Sequence, residues 1–234
     1  DRSHHPTSGF SVIGAGVETS EVERLGAYSA EAAVPFRPYL VGVLSYLEKG
    51  LRGHFLKVDR AIVFEHATRM LHFIADCEPD DFQAWYHAAL LRLALVGGNA
   101  SSYELDNPAA TSAVLKADDS EAEYLAKIER AQRYIEAGDV YQLCLTTRLR
   151  GYYTGDPLSY FLRLRKQHSA PYATFMRIGN RSYVSISPER LIEVHGSRVL
   201  SSPIKGTRRR GANPEEDLAL IGELAADPKE RAEN

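Results

Sequence analysis

Cysteine is nearly absent. Two occur in 234 residues, Cys77 and Cys144, far apart and in no Cys-x-x-Cys or Cys/His metal spacing. That excludes a disulfide scaffold and a thiolate metal site, and leaves two thiols expected to be reduced and partly buried. No apolar run approaches the length that spans a bilayer. Residues 1–16 lack the charged start and long apolar core of a secretory signal. A large excess of either charge is also lacking: 28 Lys and Arg against 31 Asp and Glu leave a net charge of −3, which argues against a general nucleic-acid binder. There is no internal repeat and no Gly-rich phosphate loop. These absences point to a cytoplasmic protein whose partners are neither nucleic acid nor membrane.

What is present is the composition of a soluble globular protein, 44% hydrophobic and 25% charged, enough for one large domain or two small ones. Phe10–Gly14 reads as a strand stopped by glycine, and residues 39–46 as a short buried strand. Residues 61–64 and 69–75 read as the next two, the three forming an antiparallel meander. The period then changes. Phe82, Trp85, Ala89 and Leu93 share a helical face over residues 80–95, with Asp80 or Asp81 as cap. Residues 97–119, rich in Gly, Ser, Asn and Asp, read as a linker. Ser120 and Glu123 form a capping box for a helix stopped by Gly138. A strand over residues 140–149 follows, then a helix opened by Asp156-Pro157. Short strands at 174–178, 183–186, 191–194 and 198–201 come next, read as one sheet, and two helices open at Asn213-Pro214 and Asp227-Pro228. The class is α+β.

The stretch from Ser185 to Arg210 carries the chemistry. If the strands on either side of His195-Gly196-Ser197 pair as a hairpin, Glu189 and Lys205 arrive at the same end of a sheet. A proton donor and a potential nucleophile then share one place. Pro203 marks the strand end, and Gly206 lets the backbone approach a ligand or take a positive φ. Spacing alone leaves open that Glu189 merely begins a turn and that Lys205 opens a solvated basic loop.

SISPERLIEV at 185–194, followed by SSPIKGTRRRGANPEEDLALIGELAADPKERAEN at 201–234, resembles the chorismate-utilising enzymes. Gly138-Asp139-Val140-Tyr141-Gln142 is similar to that family's Gly-Asp-x-Tyr-Gln segment. Ala170-Pro171-Tyr172-Ala173 and Phe10-Ser11-Val12-Ile13-Gly14 add matches in the expected order. The resemblance implies an α/β sandwich of two stacked, mainly antiparallel sheets with outer helices. It casts residues 1–96 as the N-terminal half of the chorismate-binding domain, 97–119 as a linker and 120–234 as the start of the catalytic half. The sequence ends one or two turns into its last helix, so the domain is expected to be incomplete, truncated at the C-terminus and missing a short N-terminal region. The 234 residues alone are expected to be inactive.

The resemblance also implies roles. Glu189 matches the Ser-Pro-Glu glutamate that protonates the departing C4 hydroxyl of chorismate, which needs a carboxyl kept protonated by desolvation. Lys205 stands where the aminodeoxychorismate synthases of the family have lysine and the anthranilate synthases have alanine. It implies amination at C4 with ammonia from a glutamine amidotransferase partner, in para-aminobenzoate and folate biosynthesis. Lysine in an apolar setting can attack C2 of chorismate, or can stay protonated and neutralise the substrate. Gln142 occupies the place of a lysine base for water in the isochorismate and salicylate enzymes, which favours ammonia over water. Gly206 and Thr207 are expected to contact substrate. Glu230 and Glu233, three apart on one helical face, are implied to belong to a Mg²⁺ site gripping the ring carboxylate, Glu233 as the direct ligand. Glu230, at the third position after Asp227, is equally a capping-box residue. Arg208, Arg209 and Arg210 are read as surface charge. The alternatives are an anthranilate synthase component I and a non-catalytic chorismate-binding fragment.

Overall fold

The computed structural model describes residues 9–19, 40–44, 53–96, 114–195 and 197–233, with the side chains of His195 and Glu233 outside the description. The chain divides into two compact units, Asp1–Tyr103 with Phe161–Asn234, and Glu104–Tyr160.

The first unit is organised around one long strand, β3 (Gly53–Glu65). Along one edge runs β1 (Phe10–Thr19), antiparallel from Phe10↔Glu65 to Thr19↔Phe55. The other edge is shared end to end by β2 (Leu40–Leu44), opposite Gly53–Lys57, and β4 (Met70–Ala75), opposite Arg60–Glu65. The expected meander is therefore a hub. Its reason is length: β3 begins eight residues before Ala61 and offers two edges, so β1 continues past Gly14 instead of stopping there. β2 is half-buried rather than buried, and residues 39, 45 and 46 lie outside the described residues.

Burial along β3 shows how the sheet makes a core. Val58, Ala61 and Val63 are buried together with partly buried Phe10, Val41, Leu56 and Ile74 around them. Strict alternation would send Val58 and Ala61 to opposite faces. Ala15 pairs with Arg60 and Gly16 with Val58, so Asp59 is an extra residue, and this bulge returns both apolar side chains to one face. Helix α1 (Pro79–Val96) covers β4, Phe73 meeting Trp85 and Tyr86 edge-on at ring distances of 5.9 and 4.9 Å.

In the second unit, α2 (Glu121–Glu136) has the expected capping box, Ser120 accepting from the Glu123 amide and Glu123 from the Ser120 amide. It ends at Ala137, and Gly138 follows at φ +77°, a conformation that suits glycine. The expected strand at 140–149 does not form. Only Leu149–Arg150 (β6) pairs, with Lys116–Ala117 (β5). Among the described residues 140–148 have no neighbouring strand, and without a ladder β-propensity is not realised. Helix α3 (Pro157–Gln167) opens with Asp156 accepting from the Ser159 amide at 2.8 Å.

The remaining strands belong to the first unit. They form two separate hairpins rather than the single sheet expected: β7 (Tyr172–Ile178) with β8 (Arg181–Ser187), and β9 (Arg190–His195) with β10 (Arg198–Ser202). Arg181 bonds His54 of β3 at 2.8 Å, placing β8 beside the large sheet. Helices α4 (Pro214–Ala226) and α5 (Pro228–Glu233) close the described chain. Antiparallel sheets and helices make the class α+β, as expected. Among the described residues no helix is long and apolar enough to cross a membrane. Cys77 and Cys144 are free, as expected, but exposed rather than partly buried.

Candidate active site

The site begins with the β9–β10 register. His195 faces Arg198 across the turn and Arg190 faces Ser202 at the far end. Near that end Leu191 and Ile192 oppose the single Ser201, whose hydroxyl donates to the Leu191 carbonyl at 2.7 Å. Such a bulge adds twist where the strands leave the sheet. Glu189 stands one residue before the ladder and Lys205 three beyond it, so the hairpin does bring both to one end. A direct bond confirms the placement: the Ile204 amide donates to Glu189 Oε1 at 3.2 Å. Glu189 is held from below by a tight turn, its amide donating to Ser187 Oγ at 3.3 Å and its carbonyl accepting from that hydroxyl at 3.1 Å. It is exposed, so the desolvation expected of a proton donor is not built by the described residues. Lys205 is half-buried.

Gly206 does not take the positive φ considered for it. Its requirement is close approach: a Cβ there would lie 2.0 Å from Glu230 Oε2 of α5. Glu230 thus presses its carboxylate on the backbone beside Lys205. Among the described residues its Oε2 is buried without a hydrogen-bond partner, an arrangement that suits a carboxylate completed by a cation. The capping-box alternative for Glu230 is half realised. Asp227 caps α5, accepting from the Lys229 and Glu230 amides at 2.9 and 3.4 Å, but the Asp227 amide donates to the Leu224 carbonyl. Glu233 lies on α5, three residues after Glu230. Among the described residues no three His, Cys, Asp or Glu side chains gather as a metal cluster. Mg²⁺ needs no such cage where one or two carboxylates act together with substrate oxygens. Thr207 is exposed on the same loop. Gln142 is exposed in the second unit.

Two features were missed in the sequence. Arg190 is buried at the hairpin end, bonding Glu193 and, at 2.8 Å, Ser202 Oγ, with its Nε unpartnered among the described residues. Next, the three arginines after Thr207 are not free surface charge. Arg208 pairs with Asp227 at 2.9 Å, Arg209 with Glu216, and Arg210 with Asp217 through two bonds of 2.8 and 2.5 Å. The Gly211 and Ala212 amides add bonds to Asp217 and Glu216. The signal for this was in the sequence: Glu216 and Asp217 follow Arg209 and Arg210 by seven residues, across a turn closed by Asn213-Pro214.

These bonds make the loop's hold on α4 pH-dependent. The Ala212 amide and then Arg209 keep Glu216 below the usual carboxylate range, and Arg210 and then the Gly211 amide do the same for Asp217. A depressed folded pKa means the bonds are at full strength above the unfolded value, about 4, and are lost as pH falls through the folded one. Amide exchange at Gly211 and Ala212 is expected to stay slow from neutral pH down to about pH 5 and to rise beyond its intrinsic pH trend only below about pH 4. Release already near pH 6 would show that these carboxylates do not hold the loop.

A cleft of ≈ 520 Å³ between β2 and the β7–β8 hairpin, lined by Val41, Val43, Thr174, Met176 and Tyr183 among others, contains none of these residues.

The profile described as chorismate binding enzyme matches residues 17–234. Aminodeoxychorismate synthase of Streptomyces griseus is 38% identical over 181 residues, covering 75% of this chain and 25% of that protein. Anthranilate synthase component 1 of Lactococcus lactis is 33% identical over 186 residues, 77% of this chain and 40% of its own length. The chain therefore spans a quarter to two-fifths of these relatives. Among solved structures, anthranilate synthase component I from Streptococcus pneumoniae superposes with a TM-score of 0.74 at 20% identity, covering 96% of this chain and 58% of that one. That likeness supports the fold.

Proposed function

The chain belongs to the family of chorismate-binding enzymes, and we propose that within it the natural polypeptide carrying these residues aminates chorismate at C4, as an aminodeoxychorismate synthase does. The observation that carries the reading is the bond from the Ile204 amide to Glu189, which holds a carboxyl group against the backbone one residue before Lys205 at one hairpin end. An anthranilate-type site has no use for a nucleophile at position 205.

The chemistry divides between the two groups. Lys205, as free amine, attacks C2 of chorismate. Both ring double bonds shift by one position, and the C4 hydroxyl departs as water with the proton that Glu189 supplies. Ammonia, delivered by a glutamine amidotransferase partner, then adds at C4 and expels the lysine amine from C2, so chorismate and ammonia give the aminated diene and one water. Gln142, with no basic nitrogen, cannot activate water in ammonia's place. Gly206 and Thr207 offer an amide and a hydroxyl to substrate oxygens. The unpartnered Glu230 oxygen fits Mg²⁺; Glu233 and Glu230 would hold it, and when bound it neutralises the ring carboxylate.

The test is the product. Incubated with chorismate, ammonium and Mg²⁺, the natural polypeptide is expected to form an aminated compound that retains its enolpyruvyl group, with no pyruvate released and no reaction in excess chelator. Pyruvate with a fluorescent aromatic product would replace this reading by the anthranilate one, and untouched chorismate would leave a binding role.

A further inference from the structure

Arg208 differs from the two arginines beside it. Its side chain is 27% exposed, against 68% for Arg209 and 88% for Arg210. Where those two reach α4, Arg208 reaches forward to Asp227 at 2.9 Å, with Glu223 of α4 at 3.7 Å. Asp227 is also the cap of α5. One carboxylate therefore receives the loop's guanidinium at Oδ2 and the first amides of the helix at Oδ1. Helix α5 starts at this cap, so the placing of its first turn follows what the cap is fastened to. Arg208 is fastened to the segment that holds Lys205, Gly206 and Thr207.

We propose that Arg208 is a positioning residue: by pairing with Asp227 it docks α5 on the Lys205–Thr207 loop and so holds Glu230 against Gly206. This rests on the reading above only where it assigns Glu230 to the cation. The arrangement gives the three-arginine run a division of labour. Arg209 and Arg210 fasten the far end of the loop to α4, while Arg208 sets the spacing between the amine of Lys205 and the carboxylate of Glu230. A single ion pair that still touches solvent contributes modestly to stability, so the effect belongs in geometry at the site more than in the melting temperature. Lysine at 208 keeps the charge but reaches Asp227 with a single point of contact, and should restore part of the function.

The experiment compares Arg208→Met, Arg208→Lys, Asp227→Asn and Arg209→Met in the natural polypeptide. Asparagine still caps a helix, so Asp227→Asn removes the ion pair with the cap kept. Hydrogen exchange without metal should show lost protection at the Glu230 and Arg231 amides in Arg208→Met and Asp227→Asn, and unchanged protection there in Arg209→Met. Calorimetric titration with Mg²⁺ and chorismate should show affinity for the ion weakened about tenfold or more in Arg208→Met, with Arg208→Lys in between. The half-saturating Mg²⁺ for turnover should rise with it while kcat at saturating Mg²⁺ stays close to the parent. The Arg208→Met/Asp227→Asn double variant should be no worse than either single, as expected of one shared interaction. Unchanged protection in Arg208→Met, or an equal loss in Arg209→Met, would overturn the positioning role. Lost protection with unaltered Mg²⁺ affinity would support the docking by Arg208 and count instead against Glu230 as a cation ligand.

Discussion

Glu189→Gln is expected to lower kcat for chorismate amination by about 10²–10⁴-fold, the usual contribution of a positioned general acid. The substitution is close to isosteric, and its carbonyl can still accept from the Ile204 amide, the bond that ties this side chain to the β10 end. The hairpin and the Lys205 loop should therefore stay in place, and KM for chorismate should move little. Only the transferable proton is gone. Stopped-assay kcat and KM on parent and variant check this directly. A variant with full kcat would mean that the C4 hydroxyl leaves without help from Glu189. A variant with unchanged kcat and much weaker substrate binding would make Glu189 a binding group instead.

Lys205→Ala is expected to cost about 10³-fold or more in kcat, the range in which loss of a covalent nucleophile falls. Arginine at this position separates the two roles that a lysine can play. It keeps a positive charge beside the substrate but cannot give up its proton at any working pH, so it is never a nucleophile. If the amine attacks C2, Lys205→Arg should be as inactive as Lys205→Ala. If the charge alone matters, Lys205→Arg should keep most of the rate. Because the two groups act in one step, Glu189→Gln combined with Lys205→Ala should be little worse than Lys205→Ala alone.

The parts of the fold legible in the sequence are those that local chemistry decides. The Ser120–Glu123 box, Gly138 after α2, Asp156-Pro157 before α3 and Asn213-Pro214 before α4 each sit where side chains and backbone alone satisfy a helix end. The β9–β10 hairpin, and with it the arrival of Glu189 and Lys205 at one end of it, followed from two short apolar runs and a turn. What was not legible depends on partners distant in sequence. The N-terminal part of β3, His54–Arg60, carries lysine, aspartate and arginine among its apolar residues and is a strand because β1 and β2 flank it. Residues 140–148 have strand composition and no flanking strand among the described residues. Gly206 shows the same limit at the site: glycine signalled an unusual need, but whether that need was a positive φ or room for Glu230 depended on α5 docking 24 residues later. Arg209 and Arg210 are exposed surface charges as read, but their pairing was not foreseen, because only the turn at Asn213 folds Glu216 and Asp217 back on them.

The central claim is that Glu189 and Lys205 form one reacting centre for chorismate. Its most direct test is the intact mass and peptide map of the polypeptide incubated with chorismate and Mg²⁺ in the absence of ammonia. The account predicts an added mass of chorismate less one water, located on Lys205, lost on adding ammonium and absent in Glu189→Gln. Turnover of chorismate with no adduct at Lys205, and with full rate in Lys205→Arg, would contradict it.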